Sequence, residues 1–180
     1  MTTSMARDPV RVGGALVHTR ADRDLAVAEW LLLSAADKDA ALDQWRTTRS
    51  AVLRCGALFT TVGLPELLIH AAAGTAVREA VAAFLRESVV GPVFYDSVSR
   101  RYRALVPPSA ARVWPAMPGT VCAGSGGLVT VPVPGQARQG GGRTYWVTSM
   151  DGPGALCLVR DVALVALAGH ARTVRASGGS

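Results

Sequence analysis

Helical periodicity governs the first half of the chain, and short apolar runs punctuated by Gly and Pro govern the second. From Asp22 the apolar positions Leu25, Ala28, Leu31 and Leu32 recur at helical spacing, Val27 and Trp30 widen the stripe, and Asp22 is placed to cap the amino end. A break at residues 34–37 separates this helix from a second, where Asp37 and Asp39 favour the amino end and Ala41, Leu42 and Trp45 form the buried side. Residues 51–56 then read as a short strand ending at Gly56. Residues 58–62 read as another, closed by Gly63 and Pro65. Pro65 suits the first turn of a helix that runs to Gly74. Thr75 restarts a helix with Val77, Ala80, Val81 and Phe84 on one face and Arg78, Glu79, Arg86 and Glu87 on the other, the pattern of a helix that covers a sheet.

Beyond Gly91 and Pro92, residues 93–95 and 102–106 are predicted strands around a turn of Asp96, Ser97, Val98 and Ser99, and Ser109 starts a short helix through Trp114. Residues 126–134 and 143–148 are two more strand-like runs. The Gly- and Gln-rich stretch 135–142 between them is predicted to be a surface loop, and the two runs to be antiparallel neighbours. A last helix over 155–171 is apolar nearly all round, which implies a well-packed position. The expected fold is therefore α+β: one domain over 21–172, a mostly antiparallel or mixed sheet of four to six strands covered by helices on one side. An irregular arm, 1–20, precedes it and a disordered Gly- and Ser-rich tail, 173–180, follows.

Composition supports a single core. A chain of 180 residues buries about 70% of the surface its unfolded form exposes, so it needs neither disulfide nor metal to fold. With aromatics at 6%, Val, Leu and Ala must fill most of the interior. Cys55, Cys122 and Cys157 are widely separated and read as buried thiols of a reducing compartment. The first residues lack a signal-peptide core, and the apolar tract 155–171 is interrupted by Arg160 and Asp161, so the expected location is the cytoplasm, with no membrane partner.

Charge changes the picture more. Lys38 is the single lysine against 18 arginines, and residues 100–180 hold nine arginines against only Asp151 and Asp161. Ala, Gly, Arg and Val rise together, as a GC-rich genome would make them, but the asymmetry suggests a basic face that attracts nucleic acid or another polyanion. Arg101 and Arg103, two apart on a strand, leave one face, and Arg100 and Tyr102 leave the other. Arg143 and Arg138 add to the cationic set, and Tyr102, Tyr145 and Trp146 offer stacking surfaces. The competing reading is that these arginines only keep an apolar-rich domain soluble. Gly124, Ser125, Gly126 and Gly127 form either a small anion-binding nest of N–H groups or a plain turn. His18, His70 and His170 have no Asp, Cys or second His at ligand spacing, and no metal or cofactor motif is present. The sequence does not specify an oligomeric state.

The order of features resembles the amino-terminal domain of bifunctional primase-polymerases of the archaeo-eukaryotic primase superfamily. The matching pieces are Trp45, residues 52–56, 58–62 and 93–106, the stretch Gly124 to Val129, Val133-Pro134, and Gly142-Arg143-Thr144-Tyr145-Trp146, spanning about residues 25 to 170. The resemblance implies a sheet that carries two metal-binding carboxylates on outward positions of one strand. At the corresponding place this chain reads Thr61-Val62-Gly63-Leu64, and where the family presents a His it reads Ser99-Arg100-Arg101-Tyr102-Arg103. The reading that follows is a non-catalytic binding or regulatory module with a basic face. Two alternatives stand beside it: a primase-polymerase-type nucleotidyltransferase that recruits Asp96, Asp151 or Asp161, and a subunit that binds another protein. On the first reading, purified protein supplied with template, nucleotides and Mg²⁺ or Mn²⁺ extends nothing. Template-dependent product that vanishes on Asp96→Ala or Asp151→Ala overturns it.

Overall fold

The computed structural model describes residues 10–12, 15–17, 19–136 and 143–178. Five strands form the central antiparallel sheet, in the order β7 (Val121–Cys122), β4 (Thr60–Pro65), β6 (Arg101–Val106), β5 (Val93–Asp96) and β9 (Thr144–Thr148). A separate antiparallel ribbon pairs β3 (Ser50–Arg54) with β8 (Leu128–Pro132), and a small hairpin pairs β1 (Val10–Val12) with β2 (Ala15–Val17). The helices are α1 (Arg20–Leu32), α2 (Lys38–Thr48), α3 (Glu66–Ala73), α4 (Arg78–Ser88), a single turn α5 (Ala110–Val113) and α6 (Val159–Ser177). The α+β class and the antiparallel sheet match the expectation from sequence.

Local chemistry sets the helix ends. Thr19, rather than Asp22, caps α1: its hydroxyl accepts from the Asp22 N–H while the Asp22 carboxylate accepts from the Thr19 N–H, a reciprocal capping box. Asp37 caps α2 through the Ala40 N–H at 3.0 Å. Gly74, at φ 72, ends α3 in the left-handed conformation that glycine adopts without strain.

Hydrophobic residues lie on both faces of the central sheet. On one, Val62, Leu64, Val93, Tyr95, Ala104 and Val106 pack under α3, α4 and α6. On the other, Phe94, Leu105 and Trp146 meet Val27 and Leu31 of α1, Trp45 of α2, and Leu53, Val129 and Val131 of the ribbon. Helices α1 and α2 thus cover the second face, together with the ribbon, and the sheet is not covered on one side alone. Cover on both faces is why 93–95 and 104–106 are continuous apolar runs rather than alternating ones.

Other expectations are corrected. β8 and β9 are not partners: β8 pairs with β3, so Val129 and Val131 face Leu53 and Ala51 across the ribbon, while β9 pairs with β5. Pro132 and Pro134, which lack N–H groups, remove the donors that a longer ladder would need. Gln136, expected in a surface loop, is buried. Its carbonyl accepts from the Trp146 N–H at 3.1 Å and its Nε2 donates to the Thr144 carbonyl at 2.8 Å, so it satisfies the outer edge of β9. Residues 10–12 and 15–17 of the expected irregular arm pair as β1 and β2, and the expected disordered tail is helical to Ser177. The continuing i to i−4 ladder carries α6 past Thr173, whose hydroxyl donates to the Gly169 carbonyl at 2.9 Å.

α6 is also less enclosed than its composition implied. It rests on α3 by one face, through Val162, Val165, Ala166 and Gly169, and leaves Leu164, Leu167 and Val174 exposed. The close crossing requires Gly169, since a Cβ there would collide with the Leu68 carbonyl and side chain. Arg172 then reaches the Ala72 carbonyl at 2.8 Å, at the end of α3. Gly169→Ala is expected to lower the unfolding free energy by about 1–3 kcal/mol. Chemical denaturation measures this, and an unchanged midpoint refutes the close-packing role.

Candidate functional site

Strand β6 distributes the candidate residues, because successive side chains leave opposite faces. Arg101 and Arg103 point to the face that also holds Leu105, whereas Tyr102 points to the face under the helices. Across from them on β4 lie Gly63, opposite Arg103, and Pro65, opposite Arg101. A Cβ on Gly63 would lie 3.5 Å from the Arg101 Cδ and 3.6 Å from an Arg103 Nη1, so the two arginine side chains lie against a strand position with no side chain of its own. Thr61, two residues earlier, is buried on this face.

The arginines differ in what holds them. Arg103 lies 3.4 Å from Asp96, whose carboxylate also accepts from the Ser99 hydroxyl at 2.6 Å and the Val98 N–H at 3.0 Å. Asp96 is thus committed to organising its own turn and one guanidinium. Arg101 instead donates to two neutral acceptors, the Gly119 carbonyl at 2.6 Å and the Gly63 carbonyl at 3.3 Å. Arg100, at φ 51 in the turn, reaches across the other face to Glu66 at 2.7 Å. Arg143 is exposed at the tip of β9, where its carbonyl accepts from the Ser97 N–H and hydroxyl. Arg138 lies outside the described residues.

The aromatic candidates do not join the arginines. Tyr102 and Tyr145 lie on the helix-covered face, where Tyr95 stacks between them at centroid distances of 4.9 and 5.6 Å. They line a cleft of 230 Å³ between α4 and β9. Trp146 offers no open ring: it is 9% exposed, packs edge-on against Phe94 at 5.5 Å, and donates its indole N–H to the Val133 carbonyl. The four-residue stretch from Gly124 to Gly127 is a turn. The Gly126 N–H donates to the Cys55 carbonyl and the Gly127 N–H to the Gly124 carbonyl, so neither is left for an anion.

Carboxylates do not converge. Asp96 sits where β5 meets the start of β9, Asp151 lies beyond the other end of β9 beside Arg23, and Asp161 is in the first turn of α6. Among the described residues, no group of three His, Cys, Asp or Glu side chains could hold a metal ion. The thiols are free. Burial pushes Cys55 and Cys122 above the ordinary thiol range and takes Cys157 up to about 12, so they are kept protonated. No single helix among the described residues is long and apolar enough to cross a membrane.

Sequence reasoning missed Glu66, Tyr95, Arg78 and Arg86. The two arginines were legible only as the polar face of α4, and Tyr95 only as part of an apolar run. Compared with known proteins, the chain matches no family model, no curated protein and no solved structure.

Burial pushes the Glu66 carboxyl up, but hydrogen bonds from Arg100 and from the Tyr95 hydroxyl, at 2.8 Å, outweigh it and hold the group below its ordinary value. Tyr95 in turn is pushed up to about 12 by burial and by that hydrogen bond. A carboxyl whose folded value is depressed stabilises the fold above its unfolded pKa, and the stabilisation is lost as pH falls through the folded value. Glu66→Gln should therefore be less stable than wild type at about pH 7, with the gap closing toward about pH 3. Denaturation of both proteins across that range tests this, and a gap independent of pH refutes it.

Proposed function

We propose that the chain is a non-catalytic binding module that takes a polyanion, single-stranded nucleic acid, on the arginine face of the β4–β6 end of its sheet. One observation carries this reading. Arg101 is anchored by two backbone carbonyls and has no carboxylate within 4.0 Å among the described residues, so its side chain is ordered while its charge stays uncompensated. A pre-ordered cation loses less side-chain entropy on meeting a phosphate than a free surface arginine does. Arg101 and Arg103 lie side by side against Gly63, and Arg143 stands at the tip of the same end of the sheet. The position where a two-metal enzyme would need acids holds Thr61 and Gly63 instead, which favours binding over nucleotidyl transfer.

With three phosphate contacts, log affinity should fall against log salt with a slope of about −2 on single strands, so a fourfold rise in salt weakens binding by roughly one order of magnitude. The test is a titration of labelled single-stranded oligonucleotide at two salt concentrations. Arg101→Gln should shallow the slope by roughly 0.7, and the triple variant Arg101→Gln, Arg103→Gln, Arg143→Gln should bind at background. Equal binding by wild type and triple variant at low salt overturns the proposal.

A further inference from the structure

The other face of β6 carries a site that the nucleic-acid reading does not use. We infer that the cleft between α4 and β9 binds a small aromatic anion, a flat ring bearing one carboxylate or phosphate. One wall is α4, where Arg78, Ala82 and Arg86 recur every four residues and so share a side of the helix. The opposite wall is the sheet, with Tyr102, Tyr145 and Val147.

Tyr102 is the decisive group. It is 4% exposed, and its ring is fixed by Tyr95 at 4.9 Å and by His70 edge-on at 6.4 Å. Among the described residues its hydroxyl has no hydrogen-bond partner, and Tyr102 lines the cleft. A hydroxyl held in place by its ring and not spent on a protein acceptor is free to donate to a ligand atom in the cleft. Burial raises the Tyr102 pKa, with Arg78 close enough to oppose that rise, so the hydroxyl stays protonated and acts as a donor. A donor in this position suits an anion oxygen.

Charge and size narrow the ligand. Neither Arg78 nor Arg86 has a carboxylate within 4.0 Å among the described residues, and Glu79 is the one acid lining the cleft. Arg78 is close enough to act on Tyr102, so a single anionic group can meet its guanidinium and the Tyr102 hydroxyl together. Tyr145, half-buried, and Val147 supply the flat apolar wall for a ring. At 230 Å³ the space is below the roughly 300 Å³ of sites for drug-sized ligands, and fits one ring with one charged substituent.

The experiment is calorimetric titration of the full chain with benzoate and with phenyl phosphate, using phenol and inorganic phosphate as probes that carry only the ring or only the charge. At least one ring-bearing anion should bind saturably, about tenfold or more tighter than either single-feature probe, and the tighter of the two identifies the headgroup. Tyr102→Phe removes an oxygen without a partner among the described residues, so it should keep the wild-type melting temperature and weaken binding by about tenfold. Arg78→Gln and Arg86→Gln, both on the exposed face of α4, report the cationic contribution without touching the core, and at least one should weaken binding. Arg101→Gln, on the opposite face, should leave it unchanged, which keeps this outcome separate from oligonucleotide binding. No saturable binding of either ring-bearing anion, inorganic phosphate binding as tightly as both, or full affinity in Tyr102→Phe and both arginine variants overturns the inference.

Discussion

The structure depends on a strand that has no free face. β6 lies in the middle of the central sheet with β4 on one side and β5 on the other, and both of its surfaces are covered by packed layers. Each residue along it must therefore fit one of two interiors. Ala104, Leu105 and Val106 do so with apolar side chains, and they anchor both cores at once. Toward its start the two layers run out, and there the strand places Arg101 and Arg103 on one side and Tyr102 on the other. Both candidate sites arise at this transition from buried to open sheet, back to back on one strand.

A second constraint follows from having an edge. β9 ends the sheet, and the outward groups of Thr144 and Trp146 would be left unpaired if nothing covered them. Gln136 supplies one acceptor and one donor in register with them, while two indole N–H groups, of Trp45 and Trp146, bind the carbonyls of Val131 and Val133. The ribbon is thereby fastened to both α2 and the sheet edge without adding a strand. The two tryptophans serve as packed donors, which is the role expected of a ring that is large, apolar and carries one N–H.

The arginines show that charge counts by itself do not define a basic face. Arg103 and Arg100 lie against carboxylates, and Arg172 is spent on the carbonyl end of α3. Arg101 is ordered by neutral acceptors and keeps its field. The partner that fixes an arginine sets how much of its field is left for a ligand, and that partner can be distant in sequence, as Gly119 is from Arg101.

By itself the sequence determined the elements: six of the nine strands and all six helices follow from apolar period, Gly and Pro punctuation and capping residues, which are local properties. It also determined that Arg101 and Arg103 share a face and that Tyr102 does not, since alternation along a strand requires nothing but the strand. Tertiary structure decided which strands pair, because β8 can satisfy its hydrogen bonds against β3 as well as against β9, and the choice follows from where Val129 and Val131 find apolar neighbours. Only the tertiary structure brought Arg78, Tyr102 and Tyr145 to one cleft. Their separation along the chain carries no signal until packing sets helix α4 beside the edge of the sheet.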